Sequence, residues 1–359
     1  MNNEYDIVIL GAGILGCSVA AQLSKTTKYK ICVVDKMPNP GLVQTSKNSG
    51  VVHSGIYYKP EYNVLDYCLE GKHLVTSYCV DNNLDIKVTG KKILTTLENR
   101  FELIKRAEDY NLNFHMDGDF LVLPDVALVD YLQMTQHFYE SCKDKVKFIF
   151  NCDEVVVGNT SVRVDNKYIF YKHKLINLTG IYANNIYRDM SSSLDYTVCE
   201  ILGRYHEFKC DYNEMVYNGP NKTLPFLGVH ITPTFKNTIK LGPDAFPVIV
   251  SKTISNDPTD LKRRFDFFNK NKLYFLNNLF NKSPQAMIKQ SEKLLNLNLT
   301  MDQWVKYKFG VRSVLLNRNG ELERNFIIQE YANTIHFLNS HSPAATCVFT
   351  ITNKICNMV

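Results

Sequence analysis

The stretch "YDIVILGAGILGCSVAAQLSK", residues 5–25, constrains this chain more than any other. An apolar run, Tyr5 to Leu10, stops at glycine, as a strand buried on both faces does. Residues 14–26 then carry Ile14, Val19, Ala20 and Leu23 at helical spacing, and residues 30–34 form a second apolar run. Strand, turn, helix and parallel strand fit within the roughly 30 residues of a βαβ unit. In "GAGILG" each glycine has a separate reason. Gly11 permits the tight turn, Gly13 lets backbone approach a pyrophosphate, and Gly16 lets helix pack on strand. A phosphate then meets the free N–H groups and dipole of a helix N-terminus. Asp35 stands 19 positions after Gly16, placed to accept hydrogen bonds from ribose hydroxyls and to repel a 2′-phosphate. The alternative is an ordinary strand-to-helix bend; the flanking elements and Asp35 favour a dinucleotide. NADP is disfavoured, while FAD and NAD stay open at this point.

The bulk of the sequence narrows the class. With 359 residues, 45% of them hydrophobic, the chain can bury a large core, and two intertwined domains are expected. The net charge is +5, with 41 basic and 36 acidic residues interspersed, so nucleic acid is not expected as a partner. There is no apolar run of membrane-spanning length. No signal or transit segment is read ahead of the first strand, so a cytoplasmic location is expected. Ten scattered cysteines without a CxxC pair suit reduced, buried thiols, and no metal site is expected.

Along the chain, helices are expected at 61–80, 97–110 and 126–142, and a strand or hairpin at 86–96. Short strands are expected at 147–150, 153–164, 167–171 and 174–178, a β-rich stretch at 196–250, and polar helices at 258–300. A final helix is expected within "HSPAATCVFTITNKI". The segment "QTSKNSGVVHSGIYYKP", 44–60, is too polar and small for a packed element and suits wrapping a long polar cofactor. Thr179-Gly180, after a buried strand, offers a second glycine approach at the switch point.

Taken together, these residues resemble the FAD-dependent oxidoreductases of the D-amino-acid oxidase superfamily, and within it the L-2-hydroxyglutarate dehydrogenase/oxidase family. The matching stretches are "DIVILGAGILG", "VVDK", "SKNSGVVHSGIYYKP", "LTGIYAN", "GRYHEF", "LPFLGVHIT", "LGPDA", "GVRSVLLNRNGE" and "LNSHSPAATC". They run in the family's order from residue 6 to 347. Asp35 stands where Glu is more usual, Thr179 where Ala is common, and 250–305 matches poorly. The resemblance implies an α/β (α+β overall) fold, a Rossmann-like FAD-binding domain with an inserted β-rich substrate domain. The FAD domain is expected from 1–85, 126–195 and 306–359, and the substrate domain from 86–125 and 196–305.

The resemblance also implies the site. Gly11, Gly13, Gly16, Asp35, Ser46, Asn48, Ser49, Gly50, Thr179 and Gly180 should touch FAD. Ser342, Pro343, Ala344, Ala345 and Thr346 should close over the flavin, with N–H groups that stabilise its reduced anion. Oxidising a 2-hydroxy acid needs a carboxylate clamp, a base for the hydroxyl proton and hydride delivery to flavin N5. Arg312, in a Gly-x-Arg stretch, suits the clamp because a planar guanidinium grips a carboxylate bidentately. His53 and His230 lie in matched blocks and suit the base, with His341 an outside candidate. Tyr57, Lys59, Arg204 and Tyr205 are expected to bind substrate; a surface pairing with Glu207 is the alternative for Arg204. The expected reaction is oxidation of a small L-2-hydroxy acid, foremost L-2-hydroxyglutarate, with oxygen or a quinone as electron acceptor and peripheral membrane contact left open. Amino- or imino-acid oxidation on the same scaffold and non-catalytic flavin binding are the rival readings.

Overall fold

The opening unit forms where its periodicity points. In the computed structural model, which describes residues 3–191, 195–220, 225–226, 228–251, 254–280, 283–295 and 298–359, strand β1 is Glu4–Leu10, helix α1 Ile14–Thr26 and strand β2 Ile31–Val34. There follow α2 (Val64–Asp81), β3 (Ile86–Val88), β4 (Lys91–Leu94), α3 (Arg100–Asp109), β5 (His115–Asp117), β6 (Phe120–Leu123), β7 (Ala127–Val129) and α4 (Tyr131–Cys142). The middle of the chain forms β8 (Lys147–Ile149), β9 (Val155–Val157), β10 (Ser161–Val164), β11 (Lys167–Asn177), α5 (Ala183–Ser191), β12 (Thr197–Lys209), β13 (Met215–Asn218), β14 (His230–Pro233), β15 (Thr238–Gly242) and β16 (Phe246–Val248). Helices α6 (Pro258–Lys270), α7 (Lys272–Phe280) and α8 (Pro284–Leu295) precede β17 (Trp304–Leu316), β18 (Ile328–Tyr331), β19 (Thr334–Phe337) and α9 (Val348–Cys356).

Two large sheets organise this mixed α/β fold. The first runs β18-β19-β11-β1-β2-β8, with β10 and β9 continuing from β11, and its central pairs are parallel. Ile7 and Ile9 point to one face, packing with Val19 of α1, Met134 and Phe138 of α4 and Ile351 of α9. Val8 and Leu10 point to the other, against Val162, Ile169 and Leu175. Each such side chain contributes roughly 1.5–3 kcal/mol by leaving water. The second sheet runs β16-β12-β15-β14-β13-β4-β6-β5, with β17 paired along the free edge of β12. Helix α8 packs Met287 and Ile288 on it, and α6 and α7 pack Phe267 and Phe275. Because β17 belongs to this sheet, the second layer extends to Leu316, past the domain boundary expected at 306.

Several expected elements differ. Residues 127–129 pair with β3 as a strand, and the helix expected from 126 begins only at Tyr131, where the Asp130 carboxylate caps it by accepting from the Leu132 and Gln133 N–H groups. The 86–96 segment is no hairpin: β3 pairs with β7 and β4 with β6. The strands expected at 167–171 and 174–178 are one, β11, since each end finds its own partner strands. The final helix starts at Val348; the "SPAAT" residues before it are a turn, in which Pro343 supplies no N–H. No helix among the described residues is long and apolar enough to cross a membrane. All ten cysteines are free.

The glycine turn is fixed by close contact. Gly11 sits at φ +98°, and a Cβ there would lie 2.5 Å from the Leu178 carbonyl oxygen. A Cβ on Gly16 would lie 1.8 Å from the Gly11 carbonyl oxygen, so α1 can seat against β1 only through glycine. Gly16→Ala is therefore expected to cost more than about 3 kcal/mol in denaturant unfolding. Gly118→Ala, at φ +56° with nothing within 4 Å, is expected to cost only about 1 kcal/mol.

Candidate active site

A cavity of about 1490 Å³ runs between the two sheets, from the glycine turn to the face of β12, β13 and β17. It begins at Gly11, Gly13 and Asp35, continues past Thr45 and Asn48 to Gly50, and ends among His53, His230 and Arg312. That extended, two-ended shape suits a dinucleotide with a substrate beyond it.

At the first end Gly13 has no packing reason to be glycine: a Cβ would meet only the Thr45 hydroxyl, at 3.6 Å. Its bare face opens into the cavity at the start of α1. Asp35 accepts N–H groups from Ala12 (2.6 Å) and Met37 (2.7 Å), so its carboxylate braces the turn while lining the cavity where a ribose would lie. Asn48 turns the next loop by accepting the Gly50 N–H at 3.0 Å, and Ser49 and Gly50 line the wall beside it. Across from them, Thr179 donates its hydroxyl to Asn177 at 2.7 Å, and Gly180, at φ +61°, would meet the Gln44 amide oxygen at 2.1 Å if it had a Cβ. Gly16 lies behind the wall as a packing residue. These groups fit a bound flavin dinucleotide.

The turn from Ser342 to Thr346 forms the wall between the two ends. Thr346 Oγ1 accepts the His53 N–H at 3.1 Å, lies 3.2 Å from the Tyr131 hydroxyl and donates to the Val51 carbonyl at 3.3 Å. Ser342 Oγ lies 3.1 Å from His53 Nε2. Pro343, Ala344 and Ala345 line the cavity beside them.

At the far end the histidines are uncharged. Burial pushes His53 down to about 3, and the nearby Lys91 and the partial competition of His230 for a proton add to it. Burial likewise brings His230 to about 3, with Lys91 and Arg312 helping, although its Nδ1 lies 3.1 Å from the Gly228 carbonyl. The His230 ring stacks on Tyr217, centroids 3.9 Å apart. His341 lines the same wall and is brought to about 4, chiefly by burial. Arg312 projects from β17 with its guanidinium 4.4 Å over the Phe226 ring. Burial lowers its proton affinity, and the phenols of Tyr205, Tyr274 and Tyr58 counter that. Among the described residues no carboxylate pairs with it, so its charge is available to an anionic ligand.

Besides Gly16, expected to touch the cofactor and instead packed behind the wall, three sequence expectations change. Ser46 is not in the cavity wall; its hydroxyl turns back to the Leu42 (2.9 Å) and Val43 (3.2 Å) carbonyls. Arg204 alternates out of the wall while its neighbours Gly203 and Tyr205 stay in it. It is spent on Asp244, donating from Nε at 2.7 Å, and not on Glu207. Lys59 reaches only the rim, half exposed and 3.4 Å from Glu61. Tyr57 does line the cavity. Sequence reasoning missed Lys91 and Tyr217. Strand alternation was the available signal for Lys91, since it shares a face with apolar Ile93.

The family model for FAD dependent oxidoreductases (DAO) matches residues 6–348. L-2-hydroxyglutarate dehydrogenase of Indibacter alkaliphilus is 24% identical, covering 98% of each chain. The mitochondrial L-2-hydroxyglutarate dehydrogenase of Bos taurus is 27% identical over 99% of this chain and 89% of its own. Among solved structures, L-alpha-glycerophosphate oxidase from Mycoplasma pneumoniae with FAD bound superposes at a TM-score of 0.75, with 19% identity, covering 98% of this chain and 93% of that one.

The buried imidazoles set an acid limit on stability. His53 and His230 at about 3, and His336 and His341 at about 4, bind fewer protons folded than unfolded below pH ~6.5. Unfolding then takes up protons, so the stability present above that pH drains away as pH falls toward about 4, by up to about 1.4 kcal/mol per pH unit for each ring. The melting temperature is expected to fall steadily over that interval; a flat profile would mean the rings are solvated.

Proposed function

The chain belongs to the FAD-dependent oxidoreductase family, and on that premise we propose that it oxidises a small L-2-hydroxy acid, foremost L-2-hydroxyglutarate, to the 2-oxo acid. Arg312 carries this reading: a guanidinium in the cavity wall without an acid partner among the described residues, its charge acting on both His230 and His341. The names of the relatives, each an L-2-hydroxyglutarate dehydrogenase, support the same substrate class.

The residues divide the work as follows. Arg312 grips the substrate's C1 carboxylate through two parallel hydrogen bonds, and Tyr205 flanks it. That grip aims the α-hydroxyl at His53. The resting imidazole, kept neutral by burial, is already an acceptor. The negative charge of the arriving carboxylate offsets the nearby cations and raises the ring's proton affinity as the hydroxyl proton moves to Nε2. The Ser342 hydroxyl, 3.1 Å from Nε2 in the resting site, gives way at that nitrogen to the substrate hydroxyl. His230, fixed against Gly228 and Tyr217, is the alternative acceptor from the second sheet. Bound FAD supplies the two-electron acceptor for the α-hydrogen and its electron pair. Oxygen or a quinone-type acceptor would take up those electrons.

Anaerobic mixing of the holoenzyme with L-2-hydroxyglutarate is expected to bleach the flavin band. Arg312→Met should lower kcat/KM about 10²–10³-fold, and His53→Asn should lower kcat about 10²–10⁴-fold while flavin content is kept. Bleaching by amino acids but by no hydroxy acid would overturn the proposal.

A further inference from the structure

Lys91 opens β4 and is only 2% exposed. Its neighbour Lys92 faces outward and pairs with Asp117 and Glu214, whereas no carboxylate among the described residues pairs with Lys91. Its Nζ lies 3.7 Å from the Tyr217 ring centroid and 4.3 Å from that of Tyr57. The Tyr217 ring also stacks at 3.9 Å on His230, which leaves no room for the amine on that face. The amine therefore sits behind the ring, and the order through the wall is His230, Tyr217, Lys91. His230, Tyr217 and Tyr57 all line the cavity.

The substrate end of the cavity thus carries two cations, Arg312 and Lys91, and neither has a counter-ion among the described residues. A buried unpaired charge is costly, and two of them favour a ligand that brings two negative charges. Of the two cations expected from the sequence to meet substrate beside Arg312, Arg204 is bound by Asp244, and Lys59 sits half exposed at the rim beside Glu61. Resting on the reading of hydroxy-acid oxidation given above, we infer that Lys91 is the second cation of the substrate cavity and that its charge, acting past the Tyr57 and Tyr217 rings, selects substrates with a second carboxylate. Arg312 then serves the carboxylate next to the reacting carbon, and Lys91 serves the distal one without touching it.

The amine's own titration gives this selection a pH signature. Burial brings Lys91 down to about 7, so near neutrality it gains its proton most readily when a dianion is bound. The titratable groups around it are the phenols of Tyr57 and Tyr217, the Cys68 thiol and the imidazoles of His53 and His230. Burial pushes both phenols up and both imidazoles down, so these four are uncharged at neutral pH.

The test compares L-2-hydroxyglutarate with L-2-hydroxypentanoate, in which a methyl replaces the distal carboxylate. Holoenzymes of the wild type, Lys91→Met and Lys91→Arg are assayed, and glutarate and pentanoate binding is followed by the flavin spectrum. Lys91→Met is expected to raise KM for hydroxyglutarate about tenfold or more, with KM for hydroxypentanoate within about twofold; Lys91→Arg should keep most of the preference. The wild-type preference for glutarate over pentanoate should weaken between about pH 6 and pH 9 as the amine loses its proton. An equal change for both substrates in Lys91→Met, or an unchanged preference, overturns the inference. If Lys91→Met retains no flavin, a flat wild-type preference across that pH range overturns it and a weakening one upholds it. Flavin that no hydroxy acid bleaches, but that still reports a Lys91-dependent glutarate preference, would sink the proposed oxidation and leave this inference standing.

Discussion

One hydroxyl holds the reacting end of the cavity together. Thr346 joins the turn before the last helix to the segment from Val51 to His53, and reaches Tyr131 at the start of α4. Each such bond is worth only about 0.5–1.5 kcal/mol net. Its importance lies in where it acts: the Thr346 oxygen satisfies the His53 N–H, and Ser342 from the same turn reaches the His53 ring. Backbone and side chain of the proposed base are thereby both set by residues nearly 300 positions away, 289 for Ser342 and 293 for Thr346. The turn and the proposed base are tied into one piece.

Charge imposes the second constraint. The far end of the cavity is lined by neutral imidazoles and phenols, with unpaired cations set among them. Such an arrangement disfavours itself when empty of anions and is relieved by a carboxylate. Burial, with this positive field adding to it, keeps His53 in its acceptor form. In the proposed reaction, affinity and base strength are coupled through one electrostatic device.

The local parts of this design were legible in the sequence because they depend on short-range rules. The strand, glycine turn and helix from 4 to 26 follow from periodicity and from contacts within the turn. His53, His230 and Arg312, nominated by motif, do meet at one end of one cavity. What could not be read depends on parity and on partners far along the chain. Arg204 and Tyr205 are adjacent, and only the pairing of β12 decides that Tyr205 faces inward. Ser46 looked like its neighbours in composition, but a turn's carbonyls claim its hydroxyl. Lys91 and Lys92 are chemically identical in sequence, and the sheet buries one and solvates the other.

The parallel sheet also bears on how the protein is made. Strand β1 needs β11 beside it, β11 needs β19, and α1 needs α9, whose Thr352 hydroxyl donates to Ser18 at 2.9 Å. The glycine turn leaves the ribosome long before α9, which covers one flank of its helix, α4 covering another. Until then α1 exposes an apolar flank that chaperones would recognise and that neighbouring chains could bind. Synthesis that stops short of α9 leaves a chain whose opening motif is intact but bare along one flank.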